Sequence, residues 1–300
     1  MTPTPPLWAY LALAASMSLV GSYVALSKAL LLVFPVFVLA WWRFLIAATA
    51  MLHWLRVPPD ASRLSWRDHG QLAAQSLFGN FLFSICMLFG MRHTSASEAG
   101  LIMAALPAVV GLLSALLLRE RLQRSAVLAI GLAFAGMVIY AADQPHATSS
   151  QAWWGKALML GAVLCEAMYV VIGKSLSTRV SPRRVSALIN LWGLTFMTPL
   201  ALWTWSTWSA DAVTLDLWGL MVFYALAASV WTVWLWMKGL QHVPAHRAGV
   251  FTVMLPISAA SVGLLFFDER LSLTQWLALG LALAGVVVST RSGGHLTKQA

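Results

Sequence analysis

Long apolar runs separated by short polar breaks fill the chain from one end to the other. Each run approaches the ~20 residues that a helix needs to cross a hydrocarbon core of about 30 Å. The breaks carry turn-forming residues, as in VPPDASRLSWRD at 57–68 and DQPHATSS at 143–150. The pattern predicts ten transmembrane helices and no soluble domain between them. The ten runs lie at roughly 7–28, 35–55, 70–91, 96–118, 125–142, 153–174, 184–205, 217–238, 246–267 and 273–290.

The length of the runs favours helices over the strands of a membrane barrel. Backbone polar groups must be hydrogen-bonded inside lipid, and barrel strands alternate apolar and polar residues over about ten positions. These runs are longer and do not alternate. Composition points the same way, because 60% of the residues are hydrophobic and only 10% are charged, against about 25% in an average soluble domain. The expected fold class is an all-α integral membrane protein.

The chain repeats itself at a spacing of 149 residues. Residues 90–138 match 239–287 without a gap, at 19 identities in 49 positions. The triplet Glu-Arg-Leu at 120–122 recurs in this register at 269–271. The sequence therefore predicts two five-helix repeats around a central cavity, 1–145 and 150–292, followed by a tail at 293–300. Because five is odd, the second repeat is inverted in the membrane.

The earlier helices of the two halves match more faintly. Tyr23 and Lys28 fall on Tyr169 and Lys174 at a spacing of 146 residues. The match extends the repeat to the first helix of each half.

Basic residues predict how the chain lies in the membrane. With ten helices both termini share one side, which receives 14 of the Lys and Arg residues against 4 on the other. The positive-inside rule then places the termini in the cytoplasm. It also explains why the first triplet reads RERLQR and the second DERLSL, since the two loops lie on opposite sides. The net charge of +9 is a topology signal, and its spread over short loops disfavours a nucleic-acid partner.

Several stretches resemble the EamA family of the drug/metabolite transporter superfamily. They are WWRFLIAATAML at 41–52, HTSASEAGLIMAALPAVVGLLSALLLRERL at 93–122 and GLAFAGMVIYA at 131–141, repeated in HVPAHRAGVFTVMLPISAASVGLLFFDERL and GLALAGVVVST. The resemblance covers essentially the whole chain. It implies a ten-helix basket whose centre is lined by several helices from both halves. The Trp-rich composition is most similar to bacterial exporters of aromatic and other neutral amino acids.

Two prolines indicate where a substrate site lies. Pro107 and Pro256 occupy equivalent positions near the middle of the fourth and ninth predicted helices. A proline cannot donate to the residue four before it, so the carbonyls of Met103 and Thr252 are expected to be freed at equivalent depth. Matched broken helices mark the site in inverted-repeat transporters. The alternative interpretation is a pair of packing kinks.

Polar and aromatic residues extend this candidate site. Asn80 and Ser84 share a face of the third predicted helix, and Asn190 and Trp192 lie at mid-depth in the seventh. Such residues line a cavity or form hydrogen bonds between helices. Nine tryptophans near span ends, Trp205 and Trp218 among them, suit an interfacial belt. Deeper ones, including Trp42 and Trp231, either stack on an aromatic substrate or pack in lipid.

Two ionisable residues lie deep inside predicted helices. Arg43 is about eight residues into the second and Glu166 about thirteen into the sixth. A charge at such depth marks a functional site by default. Arg43 either contacts substrate or pairs with helix carbonyls. Glu166 carries a coupling proton, meets a substrate ammonium, or is protonated and silent.

These observations predict a secondary transporter that exports small metabolites, chiefly neutral or aromatic amino acids, across the bacterial inner membrane by alternating access. No ATP-binding loop is present, so neither a cofactor nor a partner ATPase is expected, and the partners are a small-molecule substrate and the lipid bilayer. The alternative is a proton-coupled exporter of cationic drugs. An intramembrane enzyme is disfavoured, because the sequence has no HExxH or GxSxG motif, and a channel because nothing resembles a selectivity filter. The predicted substrate-binding residues are Trp42, Arg43, Asn80, Ser84, Met103, Glu166, Tyr169, Asn190, Trp192, Trp231 and Thr252, with Glu166 also assigned to proton coupling and Pro107 and Pro256 to helix breaks.

Overall fold

The computed structural model describes most of the chain as helix. The described residues are 6–56, 64–117, 127–128, 131–132, 134–136, 138–139, 150–176, 181–240, 242–243 and 249–291. No strand occurs among them. The helices are α1 Leu7–Leu30, α2 Val36–Ala50, α3 Trp66–Met91, α4 Ala96–Leu117, α5 for the helical residues described between 127 and 139, α6 Ser150–Leu176, α7 Pro182–Trp205, α8 Leu215–Leu226 with its continuation to Leu240, α9 Gly249–Val253 with Met254–Phe266, and α10 Leu273–Arg291.

Within the described residues, six helices are long and apolar enough to cross a membrane, namely α1, α3, α4, α6, α7 and α8. Shorter apolar helices occur at Val36–Ala50, Phe251–Phe266 and Leu273–Gly285. The prediction of an all-helical, multi-pass membrane protein is confirmed. The fifth predicted span lies largely outside the described residues, so the count of ten remains a prediction.

Local sequence explains where several helices begin. Ser65 caps α3 by accepting a hydrogen bond from the Asp68 backbone, while the Asp68 carboxylate accepts one from the Ser65 backbone at 2.9 Å. Ser95 caps α4 by accepting from the Glu98 backbone at 3.0 Å. Proline precedes α2 and opens α7, where its missing N–H costs no helical hydrogen bond.

The fourth and ninth helices are both irregular just before their prolines. The α-helix Ala96–Met103 gives way to a turn at residues 104–105 before Leu106–Leu117 begins. In α9, a tighter 3₁₀ segment at Gly249–Val253 precedes the α-helix that contains Pro256. In the 149-residue register the turn at 104–105 corresponds to 253–254, so it overlaps the end of the 3₁₀ segment at one position.

A second pair of irregular segments occurs in α3 and α8, where no proline predicts it. Residues Leu77–Leu82 of α3 and Ala227–Trp231 of α8 form π-helical segments. They also coincide in the 149-residue register. A π-segment widens the helix by one residue per turn and is frequent at functional sites.

The helices pack mainly across the two halves of the chain. α1 contacts α9 and the last part of α8, while α6 contacts α4 and the last part of α3. α2 packs on α7, and α4 packs on α9. Replacing each helix by the one five places on reproduces this set of contacts. The division into two inverted repeats at 1–145 and 150–292 remains a prediction.

Candidate functional site

Arg43 lies inside the bundle and is only 3% exposed. Its guanidinium carbon sits 4.4 Å from the ring centroid of its neighbour Phe44, close enough for a cation–π interaction. Its Nε makes no hydrogen bond. Burying a cation with an unused donor is costly, so this arrangement is not explained by packing alone.

Glu166 on α6 brings the opposite charge to the same region. It interacts electrostatically with Arg43 on α2, although no ion pair within 4.0 Å joins the two side chains in the described structure. Thus the bundle holds a guanidinium and a carboxyl group that interact without direct contact.

Three tyrosines surround these charges. Tyr23 and Tyr169 interact electrostatically with Glu166, and Tyr224 with Arg43. The rings of Tyr23 and Tyr224 meet edge to face at 5.8 Å between centroids. The Tyr224 hydroxyl does not reach hydrogen-bond geometry with Arg43 or any other described group. We call Arg43, Glu166, Tyr23, Tyr169 and Tyr224 the charged centre.

Sequence reasoning found only part of the charged centre. Arg43, Glu166 and Tyr169 were predicted, whereas Tyr23 was noted only as the repeat partner of Tyr169. Tyr224 was missed. A buried hydroxyl-bearing aromatic inside a span is a usable signal, since a buried tyrosine hydroxyl usually has a hydrogen-bond partner.

A tight approach between α3 and α6 positions Tyr169. A Cβ at Gly79 would overlap the Tyr169 ring. Gly79 belongs to the π-segment of α3. The α3 backbone at this segment therefore lies directly against Tyr169, which is three residues after Glu166 on α6.

Four tryptophans pack against one another, and two of them directly precede Arg43 in the sequence. The Trp42 ring lies 5.4 Å from Trp41 and 5.1 Å from Trp218 between centroids, and 6.4 Å from Trp205. Its indole nitrogen is buried and makes no hydrogen bond. Trp205 and Trp218 were predicted to belong to an interfacial belt, and the structure shows that they also pack on the deeper pair. We call Trp41, Trp42, Trp205 and Trp218 the tryptophan wall.

The predicted polar stripe is largely committed to hydrogen bonds between and within helices. The Asn80 amide donates to the carbonyl of Ile189 on α7 at 2.8 Å, and the Ser84 hydroxyl donates to the carbonyl of Asn80. The Asn190 amide donates to Ser186 within its own helix at 2.8 Å. Of the side chains of Asn80, Ser84 and Asn190, only that of Asn190 has a buried atom without a partner, its amide oxygen.

Other predicted residues lie in different surroundings. Trp192 stacks on Phe196 at 5.6 Å, and Trp231 packs on Phe223 with 38% of its surface exposed. Met103 is buried in the same hydrophobic core as Tyr23 and Tyr224, and Thr252 lies in the 3₁₀ segment of α9. Among the described contacts, neither Trp192 nor Trp231 joins the charged centre.

An open groove of about 540 Å³ lies away from this centre, between α1 and the last part of α8. Apolar residues such as Leu11 and Leu235 line it, with Lys238 as its single charged member. Such a lining suits contact with lipid. We therefore place the candidate site at the charged centre and not at this groove.

The chain is similar to known transporters over most of its length. The EamA-like transporter family model matches residues 7–142 and again 153–291. The chain is 33% identical over 285 residues to the uncharacterized transporter YetK of Bacillus subtilis (strain 168), covering 94% of this chain and 86% of YetK. It is 25% identical over 229 residues to an uncharacterized transporter of Archaeoglobus fulgidus, covering 76% and 80% of the two chains.

A solved crystal structure shares the fold. It superposes with a TM-score of 0.66 at 17% identity, and the match covers 97% of this chain and 99% of the other. The double family match and the similarity to YetK identify the family and favour a transporter over an enzyme. The chain belongs to the EamA-like transporter family.

Proposed function

We propose that the protein is a secondary transporter that exports neutral amino acids, aromatic ones included, across the bacterial inner membrane by alternating access. The observation that carries the proposal is the pair Arg43 and Glu166. These residues lie in each other's field inside the bundle without forming an ion pair. An amino acid carries both complementary charges, an α-carboxylate for Arg43 and an α-ammonium for Glu166.

Unused hydrogen-bonding groups support a polar ligand at this place. The Arg43 Nε, the Tyr224 hydroxyl and the Trp42 indole nitrogen are buried and unpaired. Buried polar groups normally have partners, and each exception calls for an explanation. A bound carboxylate supplies acceptors for such donors. The tryptophan wall supplies an apolar surface on which an aromatic side chain can stack.

Arg43 also separates this proposal from the alternative of cationic drug export. A cation near Glu166 is repelled by a guanidinium in the same low-dielectric region. Tyr23 and Tyr169 beside Glu166 suit a cation, but the charge of Arg43 has no role in that scheme. We therefore favour the zwitterion.

The purified protein in liposomes is expected to move labelled tryptophan or leucine down a concentration gradient without ATP. ATP is not needed, because the charged centre binds the ligand through the ligand's own charges and the bilayer separates the two solutions. Uptake is measured with a cationic dye such as ethidium in parallel. Transport of the dye without transport of amino acids, or an absolute need for ATP, is the result that contradicts the proposal.

The cytoplasmic placement of both termini is part of this proposal and rests on the distribution of basic residues. His295→Cys in a Cys86→Ala, Cys165→Ala background is expected to react with an impermeant maleimide only after the cells are opened. Labelling of intact cells at position 295 contradicts the orientation. Arg92→Cys, predicted on the other side and exposed, is the positive control that should label in intact cells.

A further inference from the structure

The open groove between α1 and the last part of α8 combines an apolar lining with one cation. Its volume is about 540 Å³, and none of the described residues that line it is acidic. We call it the α1–α8 groove. Its lining includes Leu11, Ala15, Trp234 and Leu235, with Trp8 near the start of α1 and Lys238 near the end of α8.

Close packing of the two helices forms the floor of the α1–α8 groove. A Cβ at Gly239 would overlap the side chain of Leu13, so the two backbones approach closely at this point. One turn further on, the Ser16 hydroxyl donates a hydrogen bond to the Thr232 carbonyl at 2.8 Å. Beside this line of contacts the small side chain of Ala15 leaves space between larger neighbours.

Large apolar side chains around the α1–α8 groove are exposed. Leu11 is 60% exposed, Trp8 46% and Trp234 42%. On a helix that crosses a membrane, exposed side chains of this kind face lipid tails, which are as apolar as leucine. The groove volume also falls in the range of about 300–1,000 Å³ that is typical of small-molecule sites. An acyl chain of a lipid therefore suits the apolar part of the groove.

Lys238 adds a positive charge where this apolar surface reaches the end of α8. Its Nζ lies 5.6 Å from the ring centroid of Trp234, and no carboxylate of the described residues lies within 4.0 Å of it. Trp8 packs edge to face on the exposed ring of His242 at 4.7 Å between centroids. Tryptophan and lysine at helix ends are typical of the headgroup level of a bilayer. A lipid phosphate at this level meets the charge of Lys238.

The same charge argues against a second copy of the chain as the occupant. A two-fold interface brings the same patch of both copies together. Each Lys238 would then face the other across a lining without an acidic residue. Like charges repel strongly in such apolar surroundings, whereas a lipid phosphate has the opposite charge.

We propose that the α1–α8 groove binds one anionic phospholipid, with an acyl chain along Leu11, Ala15 and Leu235 and its phosphate at Lys238. A single cation suits a headgroup that has one phosphate and no ammonium, as in phosphatidylglycerol. The ammonium of a zwitterionic headgroup is repelled by Lys238. α1 and α8 belong to the two separate matches of the family model, so the bound lipid joins the two halves of the chain. The proposed substrate plays no part in this inference.

The test measures lipid binding to the purified full chain in detergent, by mass spectrometry that keeps lipid adducts intact. Phosphatidylglycerol and phosphatidylcholine with the same acyl chains are added separately. The parent should bind phosphatidylglycerol about fivefold more tightly, since a lysine near the membrane surface contributes roughly this factor towards an anionic lipid. Lys238→Gln is expected to remove the preference, and Lys238→Arg to keep it.

Two matched variants locate the effect in the groove. Arg67→Gln removes the same charge from an exposed residue at the start of α3, so the preference for phosphatidylglycerol should remain. Ala15→Phe fills the groove at an exposed position. It should weaken the binding of both lipids, because the acyl chain loses the apolar surface that it covers.

Four results overturn the proposal. The parent binds both lipids equally, Lys238→Gln keeps the full preference, or Lys238→Gln and Arg67→Gln reduce it equally. The fourth result is a dimer of the parent that Ala15→Phe converts to monomers, which places a second copy of the chain in the groove. Because binding is measured without a substrate, failure of the proposed transport function leaves this test intact.

Discussion

Glu166→Gln is expected to lower the affinity for tryptophan by roughly tenfold to a hundredfold, because a hydrogen bond to a charged group contributes about 1.5–3 kcal/mol. The loss should depend on which ligand charge is present. Tryptamine lacks the carboxylate but keeps the ammonium, so its affinity falls by the same factor. Indole-3-propionic acid lacks the ammonium and loses nothing. Competition against a labelled amino acid in detergent measures all three affinities.

Two other outcomes for Glu166→Gln have distinct meanings. Unchanged affinity together with loss of accumulation driven by a pH gradient assigns a coupling proton to Glu166 and contradicts an ammonium contact. Unchanged affinity with unchanged pH dependence removes Glu166 from the site. Asp216→Asn is the matched control, since Asp216 is an exposed carboxylate at the start of α8.

Arg43→Gln is expected to produce the complementary pattern. Affinities for tryptophan and indole-3-propionic acid fall by roughly tenfold to a hundredfold, while tryptamine binds at least as well as before, because only the carboxylate contact is lost. Thermal stability should also fall, since Glu166 then keeps a charge inside the bundle without an opposing one. Arg92→Gln, at an exposed arginine, is the control.

A double variant separates the loss of ligand contacts from the loss of stability. Arg43→Gln with Glu166→Gln removes both charges and should recover most of the lost thermal stability. It should not recover tryptophan binding. Recovery of binding, or equal losses of tryptamine and indole-3-propionic acid in the Arg43 variant, contradicts the assignment of the two ligand charges.

Other interactions offset part of the desolvation cost of placing Arg43 and Glu166 inside the bundle. A direct ion pair would satisfy both charges, yet the two side chains stop short of one. Arg43 gains a cation–π contact with Phe44, and each charge retains the attraction of the other through a low-dielectric interior. The remaining desolvation cost is what a zwitterionic ligand offsets on binding.

Matched irregularities connect the site to the proposed conformational cycle. The π-segments at Leu77–Leu82 and Ala227–Trp231 and the interruptions before Pro107 and Pro256 occur in helices that correspond in the 149-residue register. Irregular backbone is tolerated at membrane depth where it is buried in protein or lines a cavity. Helices with such segments can change direction without losing all of their hydrogen bonds, as alternating access requires.

The sequence alone determined the membrane class, most helix positions and the repeat, because each depends on local hydropathy or on identity at a fixed spacing. It also identified Arg43 and Glu166, since a charge within an apolar run is conspicuous. None of these features requires knowledge of which helices touch.

Only the tertiary structure decided which polar groups are used and which remain free for a ligand. Asn80 was a candidate for the cavity, and its amide proved to be bonded to the carbonyl of Ile189 on another helix. The sequence does not show that Tyr224 interacts with Arg43, because that depends on how α8 packs on α2. The Ser97 hydroxyl donates a hydrogen bond to the Glu269 carboxylate across 172 residues of sequence. Such contacts depend on how helices pack, and packing is set by shape and hydrogen bonding between segments that local sequence patterns do not encode.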